Sequence, residues 1–415
     1  MSTPAGARLD RRIALLTLLY FCQGLPGGFL AVALPVILLQ QGVDLTRVGF
    51  VSALSLPWAL KLLWAPWVDR RYSRRIGRRR SWMLPAMLVM LLCTASIGAL
   101  DPSDSLVPIL ALFGLLNLAA ATQDIAVDGY AVSLLRDREL ATGNAAQVGG
   151  FKLGNLVGGG VLLAASGWLG WGGVFAIMSG CIAAAFVAVL VLREPSDDRV
   201  PSGDTWALVR SSVRTLLRRP AFVAFLVAAK FGESTGGVLV KPAMVQHGFT
   251  RELIGTLDGV LGSIATIAGA GLGGVLARRL GWARCFVSAS CLQGAALVVL
   301  AFYQAGEVTP LGFGLRAALE HLGGGAVAVA VFMLAMSRCS PEAGGVDFTA
   351  AQVTYMLGAA LAGPIASALA DAVGITPVMA AGGILTVAIA WLGFVGRERI
   401  AAPLTADPGA DSRSG

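Results

Sequence analysis

The most concentrated chemistry in the chain lies in residues 121–130, which read Ala-Thr-Gln-Asp-Ile-Ala-Val-Asp-Gly-Tyr. An almost wholly apolar run, residues 106–120, leads straight into them. Asp124 and Asp128 are four apart, so both carboxylates fall on one face of a helix. A charge on such a helix in lipid costs at least ~2.5–3.5 kcal/mol. Each carboxylate must therefore bind a proton, pair with a cation or meet a charged solute. All four lysines, Lys61, Lys152, Lys230 and Lys241, also interrupt apolar stretches. Glu233 follows Lys230 by three residues, Arg316, Glu320 and His321 share another apolar segment, and Gln123 adjoins Asp124.

Other chemistries lack their residues. The two histidines, His247 and His321, form no His-Glu-x-x-His pair, and the six cysteines have no paired spacing. No metal site or disulfide framework is expected. There is no glycine-rich phosphate loop ending in Gly-Lys-Ser/Thr, so neither ATP nor any cofactor is implied. The chain does not read as an enzyme.

The elements that must position these charges follow from composition. Apolar residues make up 56% and charged residues 13% of the chain, about half the usual charge content. Too little polar surface exists to cover a globule. Twelve segments are apolar over the ~20 residues a crossing needs: 13–37, 47–67, 81–100, 106–130, 141–164, 172–192, 220–244, 253–277, 285–303, 310–335, 348–368 and 376–395. The net charge of +8 does not point to nucleic acid, because the arginines crowd into short loops between these segments. With the N-terminus inside, inner segments carry 25 arginines and outer loops two, Arg47 and Arg251. That asymmetry orients both termini to the cytoplasm of an inner-membrane protein.

The expected fold is an all-α integral membrane protein of 12 helices in two pseudo-symmetric six-helix bundles. The bundles span 1–192 and 220–400, with a cytoplasmic linker at 193–219 and a disordered tail at 401–415. Internal repetition supports the division. Ser-Arg-Arg-Ile-Gly-Arg-Arg-Arg at 73–80 returns as Ala-Arg-Arg-Leu-Gly-Trp-Ala-Arg at 277–284, an offset of 204. Ala-Ala-Gln-Val occurs at 145–148 and again at 350–353, an offset of 205.

Asp69-Arg70 and Gly77-Arg78-Arg79-Arg80 resemble the loop between helices two and three of the major facilitator superfamily. The residues at 71–74 loosen the usual spacing. The resemblance implies a conformational latch of Asp69, Arg70, Gly77 and Arg78, with a basic partner for Asp69 that the sequence does not name. The string at 121–130 resembles the fourth helix of AmpG-type muropeptide permeases, acetyl-CoA transporters and RhtX/FptX-type siderophore importers. Leu-Pro-Trp-Ala-Leu-Lys at 56–61, Leu-Trp-Ala-Pro at 63–66 and Asp-Phe-Thr-Ala-Ala-Gln at 347–352 match the same group. Ala-Gly-Gly-Val-Asp-Phe-Thr at 343–349 and Lys241-Pro242 look closest to the siderophore branch, although Gln246-His247 departs from it.

Depth along the helices pairs the charges. Asp124 and Lys152 are each fourteen residues from the turn near residue 138, hence both ~21 Å from it at 1.5 Å per residue. Lys152 is the expected counter-ion of Asp124, and Lys61 lies nearer the depth of Asp128. Lys241, near an outer helix end, is expected to snorkel. The adjacent opposite charges Lys230/Glu233 and Arg316/Glu320 suggest self-compensated pairs. Two readings stay open for the Asp124 cluster: a substrate- or proton-binding site, or an ion pair that fixes helix packing.

The resulting expectation is a secondary transporter, with protons as coupling ion, that imports a large polar small-molecule solute by alternating access. A siderophore leads. A muropeptide is the first alternative, an exporter the second, and a membrane-embedded enzyme the alternative from another class.

Overall fold

A computed structural model describes residues 5–34, 54, 56–102, 105–135, 137–191, 205–340 and 343–402. The start of the expected linker, the tail after residue 402 and the outer loop holding Arg47 lie outside these residues.

The described chain is helical throughout. Before the linker come α1 (Ala5–Gly28), α2 (Leu56–Leu60), α3 (Ala65–Arg70), α4 (Arg80–Ala99), α5 (Leu106–Leu134), α6 (Asp137–Leu156) and α7 (Leu162–Val191). The linker helix is α8 (Thr205–Leu217). After it come α9 (Pro220–Gly237), α10 (Val240–Gln246), α11 (Arg251–Ile254), α12 (Gly262–Leu280), α13 (Trp282–Tyr303), α14 (Pro310–Met336), α15 (Gly344–Val373), α16 (Ile375–Val395) and α17 (Arg397–Ile400). Ten runs among the described residues are long and apolar enough to cross a membrane. Large apolar side chains cover their outside, including Val107, Trp168 and Val191. Such a surface is stable only against lipid. The protein is a multi-pass membrane protein.

Two expected spans run together, and a third is broken. Residues 139–191 form one long run, but Gly170 leaves the helical region with φ 68° and ψ 173°. The described residues of the second expected span, 47–67, form α2, a 3₁₀ turn at Lys61–Leu63 and the start of α3. Pro66 explains the break: it has no N–H to give and crowds the carbonyl one turn earlier. Membrane helices tolerate such breaks where they face a protein interior. Here the break places Lys61, buried, inside the bundle.

Gly150, Gly154 and Gly158, spaced by four along α6 and the π-helical turn that continues it, serve packing. A Cβ at Gly150 would come within 2.7 Å of the Thr17 carbonyl, and at Gly154 and Gly158 it would strike the carbonyls of Phe21 and Leu25. Helices α1 and α6 therefore touch backbone to backbone. The segments before and after the linker meet along a seam where α5 packs on α15, and α6 on α12 and α14.

Candidate functional site

The carboxylates of α5 meet partners from both sides of the seam. Asp124 and Asp128 are both buried. Asp124 pairs with the Lys61 ammonium, which the break after α2 delivers. Lys61 Nζ also donates to Gln352 Oε1 of α15 at 2.6 Å and lies 5.7 Å from the centre of the Trp58 ring. Trp58 is in turn fixed by a 3.2 Å hydrogen bond from its Nε1 to Asn117 Oδ1.

Asp128 is held differently. Its Oδ1 accepts from Tyr20 Oη of α1 at 2.8 Å and from Gln147 Nε2 of α6 at 2.9 Å. Its Oδ2 accepts from Gln352 Nε2 at 3.2 Å. All three donors are neutral. Gln352 thus satisfies both of its amide groups, accepting from Lys61 and donating to Asp128. It is the link by which α15 enters the network.

Lys152 is not the counter-ion of Asp124. Equal depth brings two residues to one level of the bundle, but it leaves the rotation of α6 about its axis undefined. Gln147, not Lys152, points at the α5 carboxylates. Lys61, placed by depth nearer Asp128, pairs with Asp124 instead, because backbone depth does not say where a long lysine side chain ends.

A second group lies beyond the seam. Lys230 and Glu233 of α9 pair at 2.5 Å, and Tyr355 Oη donates to Glu233 Oε2 at 3.4 Å. Asp258, in a π-helical stretch at Gly255–Leu261, receives Lys241 Nζ at 3.2 Å and His321 Nε2 at 3.1 Å. Lys241 is largely exposed and still reaches this carboxylate. Glu320 accepts from Gln293 Nε2 at 2.8 Å, with His321 Nδ1 3.6 Å away. Arg316 does not pair with Glu320 as the four-residue spacing suggests. Its guanidinium stacks 3.8 Å from the centre of the Tyr303 ring and donates to the Gly312 carbonyl at 2.7 Å.

At the arginine-rich end, buried Asp69 acquires the partner its sequence left unnamed. It pairs with Arg79, and Arg78 Nη2 lies 3.8 Å from the same oxygen. Arg78 Nε donates to the Asp69 carbonyl at 3.0 Å. Gly77 turns the loop with φ 105°, and Arg70 ends α3. The other carboxylate oxygen of Asp69 accepts the Val346 backbone N–H of α15 at 2.8 Å. That donor belongs to the first turn of a helix, where N–H groups lack internal partners and favour a negative charge. Gly129 is also explained: a Cβ there would occupy the space of the Arg79 guanidinium.

Sequence reasoning passed over Tyr20, Asp258 and the role of Gln352. The repeat held the signal for the last, since Gln147 and Gln352 are the glutamines of the two Ala-Ala-Gln-Val copies. Gln123 is fully buried, and among the described residues neither atom of its amide has a hydrogen-bond partner; Gln23 of α1 is in the same position. Buried amides of this kind call for ordered water or a bound polar group.

The chain has relatives among known proteins. The family model described as acetyl-coenzyme A transporter 1 matches residues 12–167. The anhydromuropeptide permease of Escherichia coli K12 is 30% identical over 368 residues, covering 88% of this chain and 75% of the permease. Among solved structures, the human organic anion transporter MFSD10 superposes with a TM-score of 0.71 at 17% identity, over 94% of this chain and 100% of the other. The E. coli fucose:proton symporter FucP gives 0.70 at 13% identity, over 94% and 98%. At such identities the structures speak to the fold alone, which is that of the major facilitator superfamily. The permease match carries family membership. The protein is a membrane transporter, not an enzyme, and belongs to the AmpG-like and acetyl-CoA transporter family of the major facilitator superfamily.

Proposed function

We propose that this protein is a proton-coupled importer of a muropeptide-class solute, working by alternating access in the inner membrane. Twelve crossings in two bundles, 1–192 and 220–400, and cytoplasmic termini complete this reading. The arginine excess at one end supports the orientation. The similarity to the anhydromuropeptide permease over 88% of the chain favours the muropeptide class over the siderophore class.

The observation that carries the mechanism is the Gln352 bridge between Lys61 and Asp128. With the arginine-rich end closed, Asp69 holds the start of α15 against α3, and Gln352 reaches the α5 carboxylates. Opening that end moves α15 away and removes two hydrogen bonds from the network together. A proton on Asp128 offsets the loss, because a neutral carboxyl in an apolar interior needs less compensation than a carboxylate. Solute and proton then leave to the same side. Asp124 with Lys61 forms the fixed part of the network and Asp128 the part that cycles.

Uptake of labelled anhydromuropeptide and labelled ferric siderophore, compared in membrane vesicles from a strain lacking its own transporters, tests the solute class. Muropeptide uptake that collapses with the proton gradient is expected. Siderophore uptake alone would overturn the assignment.

A further inference from the structure

Three of the four lysines are in ion pairs: Lys61 with Asp124, Lys230 with Glu233 and Lys241 with Asp258. Lys152 forms no ion pair or hydrogen bond through its side chain among the described residues. It sits partly buried on α6, one of the helices at the seam. Its helix packs on α12 and α14 across the seam, and Gly160, in the turn that continues α6, faces Val260 of the π-helical stretch that holds Asp258.

None of the facing carboxylates needs Lys152. Glu233 is engaged by Lys230 and Tyr355, and Asp258 by Lys241 and His321. Glu320 is held by Gln293 and His321. An ammonium left without a partner inside a membrane bundle is expensive and marks a solute or ion path. Its chemistry selects an anion, since Lys offers three donors and no acceptor.

We propose that Lys152 receives a carboxylate of the transported solute, and that this contact makes the transporter select acidic solutes over their neutral analogues. The inference rests on the solute class proposed above; a muropeptide is acidic through its peptide carboxylates.

The test is binding, followed by tryptophan fluorescence, of anhydromuropeptide and its carboxamide to the full chain in nanodiscs. The acid should bind about tenfold or more tightly than the amide, the worth of one charge-assisted hydrogen bond. Lys152→Gln should abolish that preference by weakening the acid alone, and Lys152→Arg should keep it. An unchanged amide affinity shows that the Gln variant is folded. An acid preference that survives in Lys152→Gln overturns the proposal, as does a wild type that binds acid and amide alike. The same comparison on a ferric carboxylate siderophore and its amide separates the two readings. If only the siderophore acid binds, and does so through Lys152, the muropeptide assignment fails and the Lys152 role stands. If neither acid binds in a Lys152-dependent way, the role of Lys152 is rejected.

Discussion

Gln147 and Gln352 donate to opposite oxygens of one carboxylate, Asp128, at 2.9 and 3.2 Å. The two glutamines occupy the same place in the repeated Ala-Ala-Gln-Val, one on α6 and one on α15. The duplicated segments thus present the same side chain to a single acid. One donor lies on the same side of the seam as Asp128 and stays with it. The other crosses the seam and must leave when the seam opens.

That asymmetry predicts the effect of removing Gln352. Gln352→Ala deletes a hydrogen bond from Lys61 and one to Asp128, each worth about 1.5–3 kcal/mol when a charged partner is involved. The state with the arginine-rich end closed should lose at least about tenfold in relative population. Its reporter is a disulfide between Val132→Cys and Gly344→Cys, in a chain whose six native cysteines are replaced. A Cβ at position 344 would stand 3.1 Å from that of Val132, near bridging distance. Cross-linking should fall in Gln352→Ala and persist in Gln147→Ala.

The latch makes a separate prediction. Gly129→Ala forces the Arg79 guanidinium off Asp69, and Asp69→Asn removes the charge directly. Both should lower the same cross-link and reduce the transport rate. Neither residue touches the Asp128 carboxylate, so both effects should follow the lost population of the closed state, the state in which Gln352 reaches Asp128.

The Lys61–Asp124 pair is tested by stability. Lys61→Met alone leaves Asp124 buried without its cation, at a cost of about 3–5 kcal/mol. Adding Asp124→Leu should restore most of the lost thermal stability, since an apolar pair can replace a buried ion pair at little cost. Melting of the detergent-purified variants measures this. A double variant as unstable as the single one would mean that Asp124 serves another partner.

Much of the design was legible because charges in apolar segments are rare and costly. Asp124, Asp128, Lys61 and the Lys230–Glu233 pair stood out on that ground alone, and the arginine-rich loop marked Asp69. Pairing was harder to read. Depth counts residues along a helix, but the rotation of α6 turned Gln147, not Lys152, toward Asp128. Arg316 illustrates a further limit: four-residue spacing permits a pair with Glu320, but the Tyr303 ring offered the guanidinium a flat face instead. Asp258 escaped notice because its partners, Lys241 and His321, lie in two other helices that sequence spacing does not bring together.

The central claim is that Asp128 carries the coupling proton, and pH-gradient-driven uptake in proteoliposomes tests it most directly. Wild-type protein should accumulate labelled anhydromuropeptide when the lumen is alkaline and lose that accumulation when the gradient is collapsed. Asp128→Asn, which keeps the shape and the accepting oxygen but holds no exchangeable charge, should still exchange labelled for unlabelled solute without accumulating it. Gradient-driven accumulation by Asp128→Asn at the wild-type level would contradict the account.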